Sequence, residues 1–437
     1  MYIRKHLVSG IPTRVGLFSL ILLIAACGGG GGGSSPPPVT PTNTTPVANA
    51  GADQAVSTGT TVTLNGNSSS DADGDTLLYS WSLTSSPAGS SASISNSAEI
   101  IASITVDEVG DYVISLVVND GSVNSTADSL TIMVTEYSGS GSITTGLGTA
   151  TVNNLFPSGV RPSPLGSIQD LQGGTWAVPA EVNFQDGSFP IASDLHNTYN
   201  TGADYPTEIA ALAALDPADI VEVDASGELI TAYVFADNYF ELYINGVGVG
   251  KDPVPFTEFN SNLIQFRVEV PFTAAMLLVD WEENLGTGTE SNGGQNTPGD
   301  GGVVAVFKDS TDGIIGITGS DWRAQTYYTA PVDNLSCLTE IGTQRLSSTC
   351  STSAVANLAN VYAVHWALDA NWMDEGFDDS LWPTATTYTN TEVGVNNRDA
   401  YNNFTNVFDD ATEDAEFIWS TNLDLDNQVV VRKVIGD

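Results

Sequence analysis

The stretch Ser70-Asp71-Ala72-Asp73-Gly74-Asp75-Thr76-Leu77-Leu78-Tyr79-Ser80-Trp81-Ser82-Leu83 decides the fold. Its first half is turn chemistry, with short acidic side chains that bond their own backbone around a glycine. Its second half alternates apolar and polar residues from Leu78 to Leu83, the period of a strand with one face buried. The punctuation repeats on both sides. Thr61-Val62-Thr63-Leu64 alternates, and Tyr112–Val118 and Leu130–Val134 are rich in Val and Ile. Ser86-Pro87-Ala88-Gly89 and Asn119-Asp120-Gly121 supply turns between them. Short strands broken by regular turns predict a β-sandwich over residues 46–136, with Trp81 in its core.

Within that segment, Pro46-Val47-Ala48-Asn49-Ala50-Gly51, Ser70–Asp75, Tyr79-Ser80-Trp81, Gly110-Asp111-Tyr112 and Val118-Asn119-Asp120-Gly121 follow one another in order. Together they resemble the PKD domain and its close relatives over the whole segment. The resemblance implies an immunoglobulin-like sandwich that serves as an extracellular spacer or adhesion module, sometimes stabilised by calcium. Asp71, Asp73 and Asp75 stand at alternate positions, as at the start of an EF-hand loop. The twelfth position, which in that loop is a bidentate glutamate, is Ser82, so the motif is not an EF-hand. Two readings stay open: a solvated turn, or a Ca²⁺ site at the hairpin end made with Asp120.

The N-terminus is read as an export signal, residues 1–26. Arg4, Lys5 and Arg14 are basic, and the apolar run Val15–Ile24 is too short to span a bilayer as a helix. It ends in Ile24-Ala25-Ala26-Cys27, which resembles the lipobox of bacterial lipoproteins. The resemblance implies acylation of Cys27, cleavage before it, and anchorage in the membrane by several acyl chains. Gly28 follows in place of an acidic retention signal, so an outer-membrane, surface-exposed lipoprotein is expected. Residues 27–45 then form a tether, six glycines, two serines and three prolines followed by Thr, Pro and Asn, which cannot bury a core.

Twelve basic residues face 52 acidic ones, a net charge of −40, and the expected loss of Arg4, Lys5 and Arg14 leaves nine basic residues. A polyanion of this kind repels phosphate, so nucleic acid is excluded as a partner. The carboxylates either keep the chain soluble or, in part, hold Ca²⁺. Beyond Cys27 only Cys337 and Cys350 remain, an even pair that reads as a disulfide in an oxidising compartment.

Residues 137–150 are expected to be a Ser/Gly/Thr linker, and 151–437 a mainly β region of one domain or two. Strands are predicted at Leu229–Phe235, Asn238–Ile244, Leu263–Val270, Ala275–Trp281 and Val303–Phe307, with a hairpin turn at Asn245-Gly246. Helical signals are few: Pro206-Thr207-Glu208 opening Ile209–Leu215, and Ala354–Tyr362. Residues 283–302, rich in Gly, Asn and Thr, read as a long exposed loop, and Glu283, Glu290 and Asp300 on it are candidate calcium ligands. Asn238–Gly246 and Phe377-Asp378-Asp379-Ser380-Leu381-Trp382 resemble two motifs of galactose-binding-like jelly rolls, although their usual order is reversed. Val429-Val430-Val431-Arg432-Lys433 resembles a strand of the same domains. The expected fold class is therefore all-β, an immunoglobulin-like sandwich followed by a larger β-sandwich or jelly-roll region with few short helices. Gly173–Pro179 belongs to no motif.

No nucleophile elbow, zinc motif or phosphate loop is present, and paired carboxylates carry no information in so acidic a chain, so an enzyme is not expected. His365, between Val364 and Trp366, reads as a core histidine. Two functions remain. In the first, a carbohydrate-binding or adhesion module offers Trp281, Trp322, Trp366 or Trp372 as a platform to an extracellular glycan or surface protein. In the second, a structural protein spaces and presents a surface. Exposure of tryptophan rings favours the first and their burial the second.

Overall fold

The computed structural model describes residues 43–135, 137, 139–157, 161–197, 199, 205–256, 260–410 and 413–436. Cys27, the signal segment and most of the tether lie outside them. From Thr44 onward the chain forms one compact unit. Among the described residues no helix is long and apolar enough to cross a membrane.

The first sandwich packs a four-stranded sheet, ordered Gln54–Ser57, Asp128–Thr135, Gly110–Asn119 and Leu78–Ser85, against a three-stranded one, ordered Thr61–Asn65, Ile101–Thr105 and Ile94–Ser95. Alternation places Val62 and Leu64 inside and their neighbours in solvent. Trp81 is 4% exposed and packs with Tyr112, Ile114, Leu116, Leu130 and Ile132. Its indole N–H donates to the Glu99 carbonyl at 3.1 Å, so the ring is buried with its one polar atom satisfied. The Tyr112 hydroxyl accepts from the Asp107 and Glu108 N–H groups and donates to Asp107 Oδ1, fixing the corner that leads into its strand.

The remainder is a second, larger body built on two mainly antiparallel sheets. One runs Ser193–His196, Asn260–Val268, Glu228–Asp237, Gly302–Lys308, Phe417–Trp419, Thr386–Tyr388, with Val221–Glu222 and Ile314–Ile317 on its flanks. The other runs Val247–Lys251, Tyr239–Ile244, Phe272–Val279, Asp426–Ile435, Arg323–Val332, Tyr362–His365, Ser142–Thr145. The C-terminal strand Asp426–Ile435 thus sits in the middle of its sheet, between strands distant in sequence. The predicted strands in this region are all present, and Asn245 and Gly246 turn the hairpin with φ of 48° and 83°. The helix Glu208–Ala214 starts where expected, with Thr207 Oγ1 accepting the Ala210 N–H.

The seven-stranded sheet is buried on both faces. Phe240, Leu242 and Ile244 enter the core between the sheets, with Phe235, Met276, Val304, Trp322 and Trp419. Tyr239 and Tyr243, one residue out of phase, face the other way and pack under Trp281, Trp366, Trp372 and Trp382. This sheet is the middle of three layers, and the third is loop, notably the segment that carries Trp366, Trp372 and Trp382. Arg432, 2% exposed, ties that layer down: its guanidinium donates to Asp379 Oδ2 at 2.9 Å and to the carbonyls of Trp372 and Asp374.

Three sequence expectations are corrected. Residues 137–150 are not a free linker, because Ser142–Thr145 completes the edge of the seven-stranded sheet beside Tyr362–His365 and Ile143 is buried. Residues 354–362 are not a helix; Asn357 caps one 3₁₀ turn at Leu358–Asn360, and Tyr362–His365 then pairs as a strand. Residues 283–302 are not an open loop but a hairpin, Thr289–Asn292 with Gln295–Pro298, turned by Gly293 and Gly294 at positive φ.

Cys337 and Cys350 are joined, with Cα atoms 4.9 Å apart, and close the hairpin Thr339–Ile341/Gln344–Leu346. Replacing both by Ser is expected to cost about 3 kcal/mol, the loop-closure entropy of so short a ring; an unchanged denaturation midpoint would contradict this. Asp426 gives a second prediction. It is buried and accepts hydroxyl bonds from Thr326, Thr329, Ser347 and Ser420, at 3.1, 2.7, 3.3 and 2.6 Å. Burial outweighs those bonds and raises its carboxyl to about 6. The native state therefore holds this proton more tightly than the unfolded chain does. Its contribution, about 3 kcal/mol, is complete below 3.8 and lost as the pH rises through about 6. Melting curves across that window should slope downward in the wild type and less so in Asp426→Asn; parallel profiles would refute the assignment.

Candidate functional site

The tryptophans offered by the sequence as ligand platforms are core residues. Trp281 and Trp322 are 0% exposed, Trp372 4% and Trp366 6%. Trp281 meets Tyr239 edge-on at 5.6 Å, and its indole donates to the Pro164 carbonyl. Trp322 stacks on Phe307 and donates to the Ile317 carbonyl. Trp366 lies under the Arg345 guanidinium at 4.8 Å and donates to Glu340; Trp372 abuts Tyr243 at 5.1 Å. Rings enclosed in this way have no face left for a sugar. The sequence did not show it because double-sided burial of the middle sheet leaves no alternation to read.

His365 sits between the Tyr328 ring, stacked at 4.5 Å, and Trp176 at 5.3 Å, and its Nε2 is 3.0 Å from Thr144 Oγ1. Burial lowers its imidazole to about 3, so it is a neutral packing residue. Trp176, from the unassigned Gly173–Pro179 stretch, is its lid, held by an indole bond to Asp170 at 2.9 Å.

Two carboxylate groups remain. Oxygens of Asp71, Asp73 and Asp75 lie within 4.8 Å of one another. Asp71 Oδ1 accepts the N–H groups of Asp73 and Asp75 at 2.9 and 3.1 Å, and Asp73 Oδ2 accepts the Thr44 N–H. Asp73 and Asp75 are exposed. Asp120 stands outside that triad: its Oδ1 accepts the N–H groups of Ser122 and Val123 in its own turn.

The second group lies at one end of the larger body, where the chain leaves the strand Glu228–Asp237 in one sheet and enters Tyr239–Ile244 in the other. Asp237 is opposite Gly302 in the register, two residues from Asp300. Asp280 follows the strand Phe272–Val279, whose last residue pairs with Tyr239. Trp281 N–H donates to Asn238 Oδ1 at 2.6 Å, which locks the two strand ends together. The loop before Gly302 closes onto Asp280: a Cβ on Gly299 would fall 2.3 Å from Asp280 Oδ2, so only glycine fits. Glu283 and Glu290 approach from the hairpin and share Arg161, at 3.5 and 2.7 Å. Burial, with repulsion from neighbouring carboxylates, holds Asp237 and Asp280 well above the ordinary carboxylate range and also raises Glu290, while Asp300 lies exposed beside them. Glu283, Glu290 and Asp300 were singled out in the sequence; Asp237 and Asp280 were not. Their signal was available, since each is a carboxylate ending an apolar run, Val234-Phe235-Ala236-Asp237 and Leu277-Leu278-Val279-Asp280.

Residues 50–134 match a family model of the PKD domain. Among solved structures, a nucleoside hydrolase-related hypothetical protein from Saccharophagus degradans, associated with carbohydrate metabolism, is 36% identical over 21% of this chain and 26% of its own, with a TM-score of 0.19. The chain thus spans about a quarter of that structure. The PKD domain of the KIAA 1837 protein is 30% identical over 23% of this chain and 96% of its own, TM-score 0.19. Human protocadherin-24 EC1-2 is 13% identical over 30% of this chain and 62% of its own, TM-score 0.17. No curated protein matches the chain. Residues 50–134 are a PKD-type domain with an immunoglobulin-like fold.

Proposed function

We propose that this chain is an adhesion-type module displayed outside the cell, held to the outer membrane by acyl chains on Cys27 and raised from it by the tether. The observation that carries the reading is the PKD-type domain at residues 50–134, packed beside a larger β body. The Cys337–Cys350 disulfide supports an oxidising compartment. The partner is a surface protein or a glycan met by polar groups. Burial of Trp281, Trp322, Trp366 and Trp372 favours contact through the outer surface over ring stacking on a sugar. Two surface clefts, of about 260 and 320 Å³, are lined without any tryptophan. A non-catalytic role is supported by the site itself: Asp237 and Asp280, whose ionisation is among the most perturbed, are 4% and 2% exposed and out of a substrate's reach. The net charge of −40 disfavours nucleic acid as a partner.

Anchor and display are tested together. In cells producing the full chain, protease should shave the PKD-type domain from intact cells, and the protein should enter the detergent phase. Cys27→Ala should abolish detergent partitioning and reduce attachment of the cells to their surface or to one another. Detergent partitioning that survives Cys27→Ala would overturn the anchor. Full attachment by cells lacking the chain would overturn the adhesion role.

A further inference from the structure

We propose that Asp237 and Asp280, with Glu290 and Asp300, form a divalent-cation site fitted to Ca²⁺ at the end of the larger body where the chain crosses between sheets, with Asp300 on its exposed side. The inference stands on that body alone and is independent of the adhesion role.

The argument begins with unmade bonds. Asp237 Oδ2 and Asp280 Oδ1 are buried and accept no hydrogen bond, while Asp237 Oδ1 accepts only from the neighbouring Asn238 amide, at 2.6 Å. A buried charge without donors is costly, so it must be protonated or matched by positive charge. Glu282 and Glu241, buried in the same body, are satisfied, whereas Asp252 has donors on Oδ1 alone. Glu282, two residues from Asp280, accepts from the N–H groups of Gly286, Thr287 and Gly288 and from the Tyr328 hydroxyl. Glu241 accepts from Asn183, Tyr239 and Tyr243. Asp237 and Asp280 are each left with an oxygen that no donor meets and, unlike Asp252, they lie among several other carboxylates.

Local charge points the same way. Seven carboxylates, Asp237, Asp280, Glu282, Glu283, Glu290, Asp300 and Asp424, act on one another here, against the guanidiniums of Arg161 and Arg398. Arg161 is engaged by Glu283 and Glu290, on the hairpin side. A divalent cation offsets part of the excess. Its ligands here are hard oxygens only, the set that Ca²⁺ takes six to eight at a time, and no thiol or imidazole is among them. Gly299 admits the Asp280 carboxylate against the backbone of the facing loop. No three of these carboxylates have oxygens within 4.8 Å of one another, so binding draws Glu290 and Asp300 inward. The Asp71/Asp73/Asp75 group is tighter, but two of its three members are exposed and solvated, which makes it the internal control.

The test uses the full chain in detergent, stripped with EGTA, then titrated calorimetrically with CaCl₂ and melted in CaCl₂ or in NaCl of equal ionic strength. The wild type should melt higher in CaCl₂ than in NaCl. Asp280→Asn and Asp237→Asn should each weaken binding at least a hundredfold and remove that excess, and Asp73→Ala should keep it. Asp300→Asn, nearer the rim, covers the case in which a buried substitution prevents folding, and should weaken binding at least tenfold. A calcium response that persists unchanged in the folded Asp280, Asp237 or Asp300 variants would overturn the site. So would a wild type indifferent to calcium whose stability rises on Asp280→Asn, since that is the behaviour of carboxyls held protonated.

Discussion

A carboxylate taken out of water must be met by donors, by a proton or by a cation, and this chain of 52 acidic and 12 basic residues faces that requirement throughout its larger body. The first of these is visible at several places. Asp426 gathers four hydroxyls from three separate segments, and Glu282 gathers three backbone N–H groups and a tyrosine. Glu241 is gripped by Asn183, Tyr239 and Tyr243, while nearby Lys251 donates to the carbonyls of Asn183, Phe184 and Asp186 at 2.7, 3.0 and 2.7 Å. These polar knots fasten the third, irregular layer to the middle sheet. Asp252 is a partial case, with donors on Oδ1 alone. Asp237 and Asp280 stand apart because several other carboxylates converge on them and because they meet where the two sheets exchange the chain.

The middle sheet sets what the molecule can offer a partner. Because its strands are apolar on both faces, the aromatic residues of residues 281–382 are drawn over it as a lid. Those rings are thereby withheld from the surface. The C-terminal strand Asp426–Ile435, hydrogen-bonded to Phe272–Val279 and Arg323–Val332, makes this body one cooperative unit that is incomplete without its last residues.

The first sandwich was legible because its strands bury one face only: Thr61–Leu64 and Leu78–Leu83 display their inside and outside in the residue types themselves, and Trp81 is where that pattern puts it. Asn245-Gly246 and Thr207 were legible for local reasons, a turn that needs positive φ and a helix end that needs an acceptor. The larger body's assembly was not. Val429-Val430-Val431 and Phe272–Val279 are continuous apolar runs, which say that both faces are covered but not by what. Ser142–Thr145 has the composition of a linker, and only the open edge of Tyr362–His365, over 200 residues away, makes it a strand. The acidic chamber was half-read: Glu283, Glu290 and Asp300 stood out in a Gly- and Asn-rich segment, whereas Asp237 and Asp280 close apolar runs, and only the tertiary fold shows that one oxygen of each is left without a donor.

Terbium luminescence tests the acidic chamber most directly. Tb³⁺ takes the same oxygen ligands as Ca²⁺ and is excited through a neighbouring indole, and Trp281 is covalently next to Asp280. Excitation of the tryptophans in the full chain should produce Tb³⁺ emission that Ca²⁺ competes away, that Asp280→Asn abolishes and that Asp73→Ala leaves in place. Emission that is absent from the wild type, or that persists undiminished in Asp280→Asn, would contradict a cation at this site.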